Sequence, residues 1–310
     1  MNIILAKPRG FCAGVTRAIE TVERAIDKFG PPVYVRHEIV HNKFVVESLR
    51  KKGAIFVDEV DQIPVGAITI FSAHGVSDKV EEDAMARGLD VIDATCPLVS
   101  KVHREAKKYE EEDYEIILIG HKGHPEVEGT SGRVKKEVIL VTDENDARTV
   151  EIKNPNKIAY VTQTTLSVDD TKKIAAVLES RFPTLQQGLA TKDICYATQN
   201  RQDAVRSLSK MVDILLVIGA KNSSNSNRLR DLGEESGLKS FLINSADDIE
   251  EKWFDGVKNI GLTAGASAPE ILVQDVIGKI KEISTSEVTV SDMDGITENT
   301  FFVLPRKVRK

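Results

Sequence analysis

The chain has 310 residues, 41% hydrophobic and 29% charged, with a net charge of -6. This length supports one large domain or two to three small ones with cores of their own. No apolar run approaches the roughly 20 residues of a membrane helix, which excludes a transmembrane reading, and the acidic balance argues against nonspecific nucleic-acid binding, which needs Lys and Arg against phosphates.

From the N-terminus, short β-branched or aliphatic runs alternate with helix-length amphipathic stretches. The runs are NIILA, PVYVR, AITIF, DVIDA, EIILIG, VILV, IAYVT, DILLVIG, SFLIN and NIGLT. Such alternation predicts an α/β protein with mainly parallel sheets. The opening MNIILAKPRGFCAG passes from a strand-like run into a turn without the apolar core and cleavage site of a signal peptide, so a cytoplasmic location is expected. Asn42 reads as an N-cap, Gly53 as the residue closing NKFVVESLRKK, and Ser167 with Asp170 as a capping box.

Six polar loops follow these strands: HEIVHN at 37, FSAHGVS at 71, GHKGHPEVEGT at 120, TQTTLSVDD at 162, GAKNSSNSNR at 219 and TAGASAPE at 263. Parallel α/β proteins bind ligands beyond the C-terminal ends of their strands, which makes these loops candidate site walls.

Cys12, Cys96 and Cys195 are an odd number of widely spaced cysteines, which argues against a disulfide framework. Composition alone favours three buried small hydrophobes. Spacing points elsewhere. His41, His124 and Ser223 lie 29, 28 and 28 residues after Cys12, Cys96 and Cys195, and His74, Thr164 and Ser267 lie 62, 68 and 72 residues after them. Each third of the chain offers one cysteine and two polar loops, the pattern of a repeated structural unit. Three such units around a pseudo-threefold axis would bring cysteines and loops to one central cavity.

Each cysteine follows a predicted turn and opens a predicted helix, where amide N–H groups and the helix dipole favour the thiolate. Three thiolates can join one His in a zinc site or hold three irons of a cubane cluster and leave the fourth open. No short paired cysteine spacing of the zinc-finger kind occurs, so ligands from distant segments fit a larger central cofactor better. A competing zinc hydrolase rests on His37 to His41, HEIVH, which works only on a helix. Here it follows a strand directly.

His41, His74, His124, Ser223, Ser224, Asn225 and Ser267 supply hydrogen-bond donors beside Gly-rich backbone, as an anion site requires. His103 and His121 carry less information, His103 because it lies on a predicted helix with a charged face. Glu126 is a candidate proton relay with Glu128 as its nearest rival, since a partly buried carboxyl gains a raised pKa.

The blocks PRGFCAGV, YVRHEIVHN, IFSAHGVS, DATCPLV, GHPEVEGT, TQTTLSVDDT, ICYATQNRQ, GAKNSSNSNRL and TAGASAPEILVQ, in this order, resemble the 4-hydroxy-3-methylbut-2-enyl diphosphate reductases, the LytB or IspH family. The resemblance covers nearly the whole chain. It implies a three-lobed monomer in which Cys12, Cys96 and Cys195 hold a [4Fe-4S] cluster whose fourth iron is open. His41, His74, His124, Ser223, Asn225 and Ser267, with Ser224 beside them, would hold the diphosphate, while Glu126 delivers protons with the help of Thr164, itself a further substrate contact. It also implies a ferredoxin- or flavodoxin-type electron donor. The expected division is lobe 1 at 14–96, lobe 2 at 97–193, and lobe 3 at 194–282 with the strand 1–13. The tail 283–310 carries no legible pattern. A non-catalytic iron-sulfur protein is the remaining alternative, disfavoured by the substrate-sized set of donors.

Overall fold

The structure, a computed structural model, describes residues 1–186 and 193–309. The second lobe and the tail expected from sequence each include positions outside that range. Elements alternate along the chain as the hydrophobic pattern predicts. The first half runs β1 (Asn2–Leu5), α1 (Ala13–Phe29), β2 (Val33–Arg36), α2 (Lys43–Lys52), β3 (Ala54–Val57), β4 (Ile68–Phe71), α3 (Asp78–Ala86), β5 (Asp90–Asp93), α4 (Pro97–Glu111) and β6 (Glu115–Ile119). The remainder runs α5 (Pro125–Ser131), β7 (Ile139–Val141), α6 (Glu144–Thr149), β8 (Ile158–Thr162), α7 (Val168–Arg181), α8 (Tyr196–Leu208), β9 (Ile214–Ile218), α9 (Ser224–Glu235), β10 (Lys239–Ile243), β11 (Asn259–Ala264), α10 (Glu270–Ile283) and β12 (Thr289–Asp292).

The strands form three sheets, ordered β10-β9-β11-β1-β12, β3-β2-β4-β5 and β7-β6-β8. Every strand pair in them is parallel. An α/β fold with parallel sheets is therefore what the sequence encodes. By compactness the chain falls into two units. The first comprises residues 1–15, 41–47 and 196–301, and the second residues 16–40, 48–195 and 302–310. The five-stranded sheet belongs to the first unit and the other two to the second.

In the first unit β9 lies between β10 and β11, and all five of its residues are buried. A continuous ILLVI run suits a strand covered on both faces. Leu216 and Ile218 pack with Ile3, Leu262 and Val276 in one core. In the second unit, Ala18, Val22 and Ala25 of α1 are fully buried at spacings of four and three, the stripe of a helix laid on a sheet. Asn42 and Gly53 cap as expected, and Ser167 supplies the N-cap half of its expected box. Asn42 Oδ1 accepts from the Val45 amide at 3.1 Å, Gly53 takes φ +111° at the end of α2, and Ser167 Oγ accepts from the Asp170 amide at 3.1 Å.

Two strands escaped the hydrophobic pattern. β3 directly follows Gly53 and lies at the edge of its sheet. β12 has all four residues exposed and pairs only with β1, with Asn2 opposite Thr289 and Leu5 opposite Asp292. Its side chains bury nothing, so it leaves no periodic signal, and the tail without a legible pattern is in part a sheet edge. Among the described residues no helix is long and apolar enough to cross a membrane. Leu216→Ala should lower unfolding stability by about 2–5 kcal/mol, the cost of a cavity in a packed core; a urea midpoint unchanged from the parent would contradict this account of β9.

Candidate functional site

Among the described residues no cysteine is in a disulfide, and all three are partly exposed. Cys12 immediately precedes α1, Cys96 is the N-cap of α4 with Pro97 in the first turn, and Cys195 immediately precedes α8. Each spends its own amide on a loop that follows a strand. The Cys96 N–H donates to Ala73 O at 2.9 Å, the Cys195 N–H to Thr164 O at 3.0 Å, and the Cys12 N–H to Ala266 O at 3.4 Å. These are the second polar loops of the sequence repeat. Each cysteine is tied to the loop of the preceding third, with Cys12 closing the cycle. Gly10, two residues before Cys12, has φ +68°, and a Cβ there would stand 3.2 Å from Ala268 O, so the approach to this loop requires glycine.

The first unit carries His41, Ser223, Ser224, Asn225 and Ser267. Ser223 caps α9, its Oγ accepting from the Ser226 amide at 3.3 Å and from Ser226 Oγ at 3.0 Å. Ser224 opens that helix and is partly exposed. Ser267 Oγ donates to His41 O at 2.9 Å, joining the β11 loop to the histidine. His41 Nδ1 accepts from Asn222 Nδ2 at 3.3 Å, which puts the ring proton of a neutral His41 on Nε2. Asn225 is 4% exposed, yet neither carboxamide atom has a hydrogen-bond partner among the described residues. Leaving such a group buried costs roughly 1–3 kcal/mol per atom, a cost that a polar ligand would relieve.

The second unit carries His74, His124, Glu126 and Thr164. The GHPEVEGT segment, expected as a loop, is the short helix α5, capped by His124. His124 Nδ1 accepts from the Glu126 amide at 3.1 Å, which leaves the Nε2 proton of a neutral ring as a donor. The His74 and His124 rings meet edge to face at 5.9 Å, and His74 Nδ1 lies 3.2 Å from Ser72 Oγ. Glu126 is 3% exposed, whereas Glu128 points to solvent. One helix thus decides between the two carboxylates. Glu126 Oε1 accepts from the Thr164 amide at 2.6 Å, and Oε2 accepts from the Thr164 hydroxyl at 3.0 Å.

Burial pushes the Glu126 carboxyl up to about 7; the two Thr164 bonds oppose the shift and the Asp193 charge adds to it. Because Thr164 is itself tied through its carbonyl to the Cys195 amide, the carboxyl that titrates near neutrality is one residue removed from a cysteine backbone. The HEIVH segment is not helical, and His37 takes φ +60°, so the two histidines lack the shared helical face of a zinc protease. Among the described residues, no three His, Cys, Asp or Glu side chains are grouped as ligands of one ion. His103 is buried, with its pKa lowered to about 3 chiefly by desolvation, and it packs against Gly75, where a Cβ would meet its ring. It acts as packing under the His74 loop.

Gln163 went unnoticed in the sequence, although its Oε1 accepts from the His121 amide at 3.0 Å and its Nε2 donates to Thr165 Oγ at 2.8 Å, bracing one polar loop against another. A glutamine between two threonines gives no signal to separate it from an ordinary loop residue.

Since ionisation of Glu126 is disfavoured in the folded state, the stability contributed by its protonated form is full below about pH 4.5 and is lost as pH rises through about 7. Glu126→Gln should flatten that part of the melting temperature against pH, and Thr164→Val should move the titration above that of the parent. Infrared titration of the carboxyl band, with Glu126→Gln as blank, measures both; a band that titrates near 4.5 in the parent would contradict the assignment.

The family model described as LytB protein matches residues 3–281. A 4-hydroxy-3-methylbut-2-enyl diphosphate reductase of Acinetobacter baylyi is 56% identical over 313 residues, covering 100% of this chain and 98% of that one. A Rhodopseudomonas palustris reductase of the same description is 57% identical over 306 residues, covering 99% of each. Among solved structures, the E-1-hydroxy-2-methyl-but-2-enyl-4-diphosphate reductase of Plasmodium falciparum matches with a TM-score of 0.94 and 39% identity, over 99% of this chain and 96% of that one. A second, an (E)-4-hydroxy-3-methyl-but-2-enyl diphosphate reductase described as the terminal enzyme of the non-mevalonate pathway, matches with a TM-score of 0.65 and 33% identity, over 91% of this chain and 99% of that one. Matched by the family model over most of its length and by relatives from end to end, the chain belongs to the LytB family of reductases.

Proposed function

We propose that the chain reduces (E)-4-hydroxy-3-methylbut-2-enyl diphosphate to isopentenyl and dimethylallyl diphosphate, taking up two electrons and two protons and releasing water. The observation that carries this reading is the buried Glu126 carboxyl, held by both donors of Thr164 and titrating near 7, one backbone bond from Cys195. A group poised near the working pH is suited to protonate a leaving hydroxyl.

The donor chemistry of Cys12, Cys96 and Cys195 fits a [4Fe-4S] cluster. The three are soft thiols outside any disulfide, partly exposed and each at the start of a helix. When bound, a cluster with three cysteine ligands supplies electrons and one iron open to the substrate oxygen. The chain's own residues do the rest. His124 and His41, with Nδ1 committed to local donors, offer Nε2–H to phosphate oxygens, and His74 lies beside His124. Ser223, Ser224, Ser267 and the unpartnered amide of Asn225 complete the set that holds the diphosphate. Glu126 holds the proton for the hydroxyl, and Thr164 sets its orientation and lowers the cost of its ionised form.

The same reading carries the three lobes 14–96, 97–193 and 194–282 with strand 1–13. It also carries an electron donor of the ferredoxin or flavodoxin type and a cytoplasmic monomer.

Anaerobically purified protein should hold about four irons and four acid-labile sulfides per chain, and Cys12→Ser, Cys96→Ser and Cys195→Ser should each impair that content. Protein lacking iron and sulfide, or holding stoichiometric zinc, would refute the cluster. Glu126→Gln should keep the cluster and inorganic pyrophosphate binding while losing about 10²- to 10⁴-fold in turnover. Parental turnover in that variant would remove Glu126 from the proton pathway.

A further inference from the structure

Each cysteine is followed five or six residues later by a basic side chain: Arg17 after Cys12, Lys101 after Cys96 and Arg201 after Cys195. Each reaches across to the segment that leads into another cysteine. Arg17 Nη1 donates to Ala94 O at 3.1 Å and to Thr95 O at 2.9 Å, the two carbonyls directly before Cys96. Arg201 donates to Gly10 O from Nε at 3.0 Å and from Nη2 at 2.6 Å, and to Phe11 O at 3.3 Å, the two carbonyls directly before Cys12. Lys101 Nζ reaches Asp193 Oδ1 at 3.3 Å, two residues before Cys195, and the other carboxylate oxygen accepts from the Thr162 amide at 3.3 Å.

The consequence is clearest at the peptide that enters each thiol. The Phe11–Cys12 peptide gives its carbonyl to Arg201 and its N–H to Ala266 O; the Thr95–Cys96 peptide gives its carbonyl to Arg17 and its N–H to Ala73 O. Both planes are held at both ends, which fixes the backbone from which each thiol projects. Arg201 is fully buried, and all three of its nitrogens are engaged, Nη1 bonding Ala197 O and Glu298 Oε1 at 3.0 Å each. Glu298 comes from the C-terminal segment and also accepts from Asn200 at 2.9 Å. Arg201 reaches its two carbonyls from Nε and Nη2, whereas at Arg17 Nη1 serves both while Nε donates to Val303 O at 2.9 Å; a guanidinium anchored through a second nitrogen aims these bonds in a way an ammonium does not. At the third position, where the residue is Lys101, a side-chain carboxylate takes the place of the carbonyl pair.

We propose that Arg17 and Arg201 are positioning residues that each fix the cysteine opening another helix, Cys96 and Cys12 respectively, with Lys101 serving Cys195 through Asp193. Their purpose in holding a cluster rests on the reading above, but the positioning itself is read out without metal. In the iron-free, reduced full-length chain, pulse alkylation by iodoacetamide followed by mass spectrometry gives a rate for each cysteine. Arg17→Lys should accelerate Cys96 by about tenfold, the factor expected for one lost charge-assisted hydrogen bond, and leave Cys12 at the parental rate. Arg201→Lys should do the same for Cys12 and leave Cys195 unchanged. Equal acceleration of all three thiols, acceleration of the cysteine on the arginine's own helix, or parental rates throughout would overturn the proposal. Should Arg201→Lys fail to fold, the partly exposed Arg17 site decides alone. Anaerobic protein without iron or sulfide would sink the cluster reading and leave this alkylation pattern standing.

Discussion

The amide of each cysteine donates to a carbonyl in a loop that follows a parallel strand, and each of those loops carries a proposed substrate or proton residue: His74 beside Ala73, Thr164 itself, and Ser267 beside Ala266. These three bonds link the start of a helix, where amide dipoles favour a thiolate, to the strand ends where parallel sheets place their ligands. The spacing between thiol and polar loop is thereby a property of backbone, not of long flexible side chains. Displacing one loop would move a cysteine and a donor together.

Energetically the region gives up stability. Holding a carboxyl at about 7 against an ordinary 4.5 corresponds to about 3 kcal/mol of disfavoured ionisation, so burial outweighs two hydrogen bonds from Thr164. The unpartnered carboxamide of Asn225 is a second such cost. The fully buried strands β8 and β9 and the helices packed on them offset both. Marginal loss at a site, supported by a well-packed frame, is what reactive groups commonly require.

Much of this was legible in the sequence, and the limits are physical. Ten strands announced themselves as aliphatic runs, while β3 and β12 did not, the first running straight on from the residue that closes α2, the second wholly exposed. The cysteines were recognisable at helix starts, since Gly10, Pro97 and the following amphipathic stretches mark those boundaries. Glu126 and Glu128 could not be ranked from composition; only the helical phase of α5 turns one inward and the other to solvent. Arg17 and Arg201 looked like ordinary helix charges. The carbonyls they hold before Cys96 and Cys12 lie 77 to 191 residues away, which no local pattern encodes. Glu298 was invisible for the same reason, because its value lies in the buried guanidinium it meets.

The central claim is that this chain joins electron delivery to the proton held on Glu126. It is tested most directly by incubating anaerobic, cluster-loaded protein with (E)-4-hydroxy-3-methylbut-2-enyl diphosphate and a limiting chemical reductant, and counting electrons against products. The expected result is one molecule of isopentenyl or dimethylallyl diphosphate for every two electrons. Full iron and sulfide content with no consumption of the allylic diphosphate would contradict it.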